Sequence, residues 1–175
     1  VGTLGEALAI RERASALADL AVYRPTAVTL DDAHDAAQLD GAMMTANMFP
    51  MLGARPLIGS TFAADASEPG SGHVMILSHA LWRSRFGAAP DIVGRRLLVD
   101  GAPYTVVGVM PPTFAFPTKD VNFWVPLTID RGSPSALWAT AGGWFVGRLR
   151  SGYSTDAARR ELESVVVGMR HVNPL

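Results

Sequence analysis

Val93-Gly94-Arg95-Arg96-Leu97-Leu98-Val99-Asp100-Gly101-Ala102-Pro103-Tyr104-Thr105-Val106-Val107-Gly108-Val109-Met110 is the stretch on which the reading of this chain turns. Two β-rich runs, Val93 to Val99 and Pro103 to Met110, flank the dipeptide Asp100-Gly101. Asp-Gly between such runs is a strong type I′ signal, because both central residues of that turn need positive φ. A hairpin is therefore expected here, ended by Pro111-Pro112, which cannot continue a ladder.

Upstream of the hairpin, His73 to Leu77 reads as a buried strand. Ser78 caps a helix running through Phe86, and Gly87 closes it. Residues 63–72 are small, polar and glycine-rich, as a surface loop is. Asn47 caps a short helix through Met51, closed by Gly53 and stopped by Pro56. Ala27 to Leu30, the turn-rich Asp31-Asp32 and Asp35 to Met44 form a further hairpin, since Ala37-Gln38-Leu39-Asp40 alternates apolar and polar. Thr3-Leu4-Gly5-Glu6 fits a capping box. Ala7, Ile10, Ala14, Leu17, Ala18 and Ala21 recur at helical spacing, so a helix is expected to run up to Arg24-Pro25.

Downstream lie the aromatic, proline-bounded segment Phe114-Ala115-Phe116-Pro117, a strand from Val121 to Leu127, and a strand from Trp144 to Leu149. Ser154 caps a last helix from Thr155 to about His171, whose buried stripe is Ala158, Leu162, Val165, Val166 and Met169. The fold class is α+β, and Trp82 and Leu162 are expected as core anchors.

The 175 residues are 49% hydrophobic and 18% charged, which is the composition of a globular chain rather than a disordered one. A formal net charge of −1, with no basic run longer than a pair, leaves no electrostatic footprint for nucleic acid or an anionic surface. The absence of cysteine removes disulfides, thiolate nucleophiles and thiolate metal sites together. No apolar run approaches the roughly 18–20 residues that span a bilayer, and no signal peptide is visible. The start at Val1 and the end at Asn173-Pro174-Leu175 read as cuts in a longer protein.

Chemistry-bearing patterns are sparse. His34, His73, His79 and His171 make no metal-ligand spacing, and His73 and His79 stand about 20 Å apart at roughly 3.3 Å per strand residue. Asp31, Asp32 and Asp35 lack the alternation of a calcium loop. There is no Gly-x-Ser-x-Gly, Walker or dinucleotide fingerprint, and Gly142-Gly143 precedes a strand rather than a helix. No catalytic, cofactor-binding or metal residue is therefore assigned, and no cofactor is expected. Phe114, Phe116, Phe123 and Trp124 stand apart as a candidate. They read either as a small core beside the hairpin or as an exposed patch for a partner or hydrophobic substrate.

Several phrases in this order resemble one family. They are Asn47-Met48-Phe49-Pro50-Met51-Leu52-Gly53-Ala54-Arg55-Pro56-Leu57-Ile58-Gly59, then Val74 to Trp82 with Arg85-Phe86-Gly87, then Ile92 to Arg95, Tyr104 to Pro111, Trp124-Val125-Pro126-Leu127 and Val146 to Ser154. Together they resemble the MacB-like periplasmic core domain of ABC transporter permeases in the FtsX-like group, over roughly residues 5 to 170. The resemblance implies a porter-like α/β subdomain (1–60 and 138–175) with an inserted strand-rich, Sabre-like subdomain (61–137). The first and last helices, with strands near Leu39 and Val146, would form the porter-like part. It implies a non-catalytic domain on the extracytoplasmic (periplasmic) face of the inner membrane, held between transmembrane helices. That domain would couple ATP-driven motion to substrate or partner handling. The implied partners are the flanking transmembrane helices, an ABC ATPase domain or subunit, an adaptor or lipoprotein outside the membrane, and a second copy in a homodimer. Family chains carry a strand before the first helix and another after the last. This sequence is expected to lack both, leaving the porter-like sheet incomplete, paired differently or completed by a neighbouring chain. Two other classes compete with this one: a stand-alone extracytoplasmic binding module for a hydrophobic ligand or protein partner, and a hydrolase-like enzyme with a site assembled from distant residues.

Overall fold

A computed structural model describes residues 2–32, 35–139 and 141–169. The chain forms two compact units, one from Val1–Tyr23 with Ile129–Leu175 and one from Arg24–Thr128. In chain order the elements are β1 (Gly2–Thr3), α1 (Leu4–Arg13), β2 (Leu17–Asp32), β3 (Asp35–Met44), α2 (Met48–Leu52), β4 (Ile58–Gly59), β5 (Val74–Leu77) and α3 (His79–Phe86). There follow β6 (Arg96–Val99), β7 (Ala102–Val109), β8 (Phe123–Pro126), α4 (Pro134–Ala139), β9 (Ala141–Leu149) and α5 (Thr155–Met169).

In the first unit, α1 opens with the expected capping box: Thr3 N–H donates to Glu6 Oε2 at 2.7 Å and Glu6 N–H to Thr3 Oγ1 at 3.1 Å. The helix ends at Arg13, however, and not before Pro25. Leu17–Asp32 is a 16-residue strand, which corrects the expectation of a long first helix. The spacing of Ala14, Leu17, Ala18 and Ala21 suits a helix, but Val22, Tyr23, Thr26, Val28 and Thr29 favour extended backbone. Antiparallel pairing of Leu17–Tyr23 with Leu149–Trp144 of β9 decides the competition. The β9 pairing ends at Tyr23 and the β6 pairing begins at Leu30, so Pro25 falls between these two ladders. A short strand, β1, does precede the first helix and pairs with β9, correcting the expectation that none would. Leu4, Ala7 and Ile10 of α1 are buried, as are Ala158 and Met169 of α5. Val166, expected in the buried stripe, is 37% exposed, and Leu162 is only partly buried. The part of the last helix expected beyond Met169 lies outside the described residues.

In the second unit the pairings run β2-β3-β8-β5-β7, and β6 pairs with both β7 and β2, so six strands close into a ring. Two of the pairs, β3 with β8 and β5 with β7, are parallel. β4 pairs antiparallel with the last residues of β7, Gly108 and Val109, beyond the stretch paired with β6. The Asp100-Gly101 turn is as read: φ is +47° and +76° at its two residues, and Val99 faces Ala102 across it. Ser78 Oγ accepts from Leu81 N–H at 3.1 Å and Gly87 closes α3 in the left-handed region, as expected. α2 also stands where expected, although Asn47 makes no side-chain cap bond. Leu30, Met75, Leu77, Trp82, Ile92, Val99, Val106 and Phe123 share one core. The strand at Leu39 clusters with this unit through its partner β8, whereas it was expected beside the first and last helices. The compact units divide at Tyr23/Arg24 and Thr128/Ile129, against expected divisions at 60/61 and 137/138.

Candidate functional site

The aromatic segment sits in the second unit, at the end of β8. Trp124 and Phe123 are 1% and 0% exposed, so of the two readings offered for the four aromatic candidates these two take the core and not the exposed patch. The cause is their position on β8, which is paired on both sides by β3 and β5: Phe123 faces the shared core, and Trp124 points to the opposite face, where Phe49 and Phe114 cover it. Phe123 lies in register with Gly41, and its ring occupies the space a side chain at Gly41 would need. Trp124 anchors the preceding loop, its indole Nε1–H donating to the Phe116 carbonyl at 2.8 Å. Phe114 packs on Trp124 with ring centroids 5.3 Å apart and on Phe49 at 5.5 Å; Phe49 in turn meets Phe62 edge-on at 5.5 Å. These offset and edge-on geometries suit the ring quadrupoles and add to the energy of burial. Phe114 and Phe116 remain half-buried, and the Phe116–Pro117 peptide is cis.

Beside Pro117 the surface opens into a cleft of about 470 Å³. Its walls are Pro25, Thr26 and Ala27 of β2, Asp40 and Gly41 of β3, and Pro117, Thr118, Asp120 and Val121 of the loop before β8. Asn122 holds the loop to β3, its N–H donating to the Asp40 carbonyl at 2.8 Å and its side-chain amide to the carbonyls of Asp40 and Asp120 at 3.3 Å. The lining is mostly carbon surface, with the carboxylate residues Asp40 and Asp120 among its few polar groups. Sequence reading missed Asp40, Thr118 and Asp120. Nothing local marks them, because the parallel pairing of β3 with β8 brings them together from distant parts of the chain.

The two described histidines, His73 and His79, make separate contacts. His73 stacks on Tyr104 with ring centroids 4.5 Å apart, and His79 meets Trp82 edge-on at 5.7 Å. His34 and His171 lie outside the described residues. Among the described residues no group of three or more His, Asp or Glu is placed to hold a metal. Among the described residues, two titratable groups are displaced from their ordinary values. Burial, and secondarily the Asp100 carboxylate, pushes the Tyr104 phenol up. Hydrogen bonds from the Ser15 hydroxyl and backbone hold the Glu161 carboxyl down. Neither residue lines the cleft. Among the described residues no helix is long and apolar enough to cross a membrane.

Comparison with known proteins places this geometry. Residues 2–165 match the model of the MacB-like periplasmic core domain. The chain is 31% identical over 134 residues to the macrolide export ATP-binding/permease protein MacB of Burkholderia pseudomallei, a match covering 70% of this chain and 18% of that protein. The chain thus spans less than a fifth of the length of such relatives. Among solved structures, the periplasmic region of MacB from Actinobacillus actinomycetemcomitans superposes with a TM-score of 0.76 at 13% identity, covering 98% of this chain and 75% of that one. The extracellular domain of the noncanonic ABC-type transporter YknZ from Gram-positive bacteria gives 0.73 at 13% identity, with 98% and 84% covered. The chain belongs to the MacB-like periplasmic core domain family, the extracytoplasmic domains of MacB-like ABC transporter permeases.

Proposed function

We propose that this domain is the non-catalytic, extracytoplasmic part of an ABC permease and couples ATP-driven motion across the membrane to the handling of a substrate or partner. The observation that carries the reading is the family match over residues 2–165, in a chain whose fold superposes over 98% of its length on the periplasmic region of MacB. In this reading the flanking transmembrane helices deliver the motion, and ATP is hydrolysed by a separate domain or subunit. The cleft between Asp40 and Thr118, with the half-buried Phe114 and Phe116 nearby, is the surface that meets the substrate, or an adaptor, lipoprotein or second permease copy. Concave, mostly apolar surface with a few polar groups is where such contacts concentrate.

Two experiments test this. The parent reading frame is expected to encode an apolar run of about 20 residues on each side of the domain; polar flanks on both sides would refute the permease assignment. The domain contains no cysteine, so Thr118→Cys and Asp40→Cys each place one thiol in it. In the parent protein, with cysteines elsewhere replaced, the rate of thiol labelling at these positions is expected to change when ATP is added. Rates indifferent to ATP at both positions would reject coupling through the cleft.

A further inference from the structure

A second, smaller recess in the Arg24–Thr128 unit lies apart from the cleft. It measures about 190 Å³, more than ten times the ~10–15 Å³ that one water requires. Arg24, Met43, Gly72, His73, Tyr104 and Thr128 are among the residues lining it.

The chemistry of these groups is one-sided. Arg24 is half-buried, and its Nε and Nη2 both face the Met43 thioether, at 3.3 and 3.2 Å. A thioether is a weak acceptor and carries no charge, so Met43 gives the guanidinium no counter-charge. Among the described residues Arg24 makes no ion pair, and no carboxylate lines the recess. The carboxylate that acts on Tyr104, that of Asp100, lies outside the lining and accepts the Thr29 N–H at 2.8 Å. Tyr104 and His73 lie flat against each other, their planes 11° apart, which orders two side chains able to donate a hydrogen bond. With its pKa raised by burial, Tyr104 keeps its proton and remains a donor. Met43 engages the Nε/Nη2 edge and leaves the remaining N–H groups of the guanidinium; such cationic donors, sharing a recess with a hydroxyl and an imidazole, suit an oxyanion.

We infer that the recess formed by Arg24, His73 and Tyr104 binds a phosphate-type oxyanion, with Arg24 supplying the charge and the stacked pair supplying further donors. The group is a free phosphate or the phosphate of a lipid headgroup. The inference does not depend on the function of the cleft.

The test is a nuclear magnetic resonance titration of this 175-residue chain with inorganic phosphate in the millimolar range, using chloride at equal ionic strength to control for screening. Saturable shifts are expected at His73 and Tyr104. Arg24→Gln is expected to weaken binding at least about tenfold, the loss typical of a charge-assisted hydrogen bond. Should that variant fail to fold, Tyr104→Phe retains the stacked ring, removes only the hydroxyl and is expected to weaken binding by a smaller factor. Co-sedimentation with phosphatidylglycerol vesicles separates the sources. Vesicle binding lost in Arg24→Gln assigns the headgroup, whereas saturable shifts with free phosphate and no vesicle binding assign a soluble oxyanion. Absence of both responses, or responses undiminished in both variants, would overturn the site.

Discussion

Gly41 shows how much a single residue decides in this molecule. Any side chain at Gly41 would collide with the Phe123 ring, which is fully buried. Gly41→Ala is expected to destabilise by about 1–3 kcal/mol through overpacking. Combining it with Phe123→Leu, which withdraws the ring, should cost less than the two single losses added together. Urea midpoints of the four proteins measure this, and strict additivity would contradict the close approach. Trp82 and Leu162 make a second comparison. Trp82 is 9% exposed and its Nε1–H donates to the Ala89 carbonyl at 2.9 Å, so Trp82→Ala should cost about 3–5 kcal/mol. Leu162 is only partly buried, and Leu162→Ala should stay below about 2 kcal/mol. Equal losses would contradict the partial burial of Leu162 on α5.

Among the elements, α5 carries a pH dependence. Glu161 accepts from Ser15 N–H at 2.7 Å, Ser15 Oγ at 2.6 Å and Ala16 N–H at 2.8 Å, tying the helix to the segment between α1 and β2. These bonds favour the carboxylate, so its pKa is lower in the folded chain than in the unfolded one. The unfolded state then binds more protons at a given pH, and stability rises with pH. The contribution is fully present above the ordinary carboxylate value and lost as pH falls through the lowered folded value. Glu161→Gln should therefore be less stable than the parent chain at neutral pH, with the difference closing in acid. A difference independent of pH would refute the tie. Elements differed in how far the sequence disclosed them. The Asp100-Gly101 hairpin and the caps at Thr3, Ser78 and Gly87 were legible because turn and cap chemistry is local. The first half of β2 was not, because an Ala- and Leu-rich run fits either periodicity and its partner lies in β9. For the same reason the cleft was illegible: Phe114 and Phe116 drew attention by composition, while Asp40 reaches Thr118 only through β3–β8 pairing.

For the molecule as a whole, the six-stranded ring makes Arg24–Thr128 a candidate for independent folding. Its first residue touches Met43, and Leu127 N–H donates to the Met44 carbonyl at 2.8 Å, so both ends of the segment meet the same end of β3. A chain of residues 24–128 alone is expected to unfold cooperatively and to give dispersed amide resonances. Collapsed spectra without a cooperative transition would show that the ring depends on the remainder. The first unit is built differently, from segments at opposite ends of the sequence. Arg150 Nη2 donates to the Leu17 carbonyl from 133 residues away, and β1 and β2 both find their partner in β9. On a ribosome adding about 5–20 residues per second, Leu17 waits roughly 7–27 s for that partner. During that interval the emerging strand that starts at Leu17 is without its β9 partner, a window in which a chaperone has time to engage it before the unit closes.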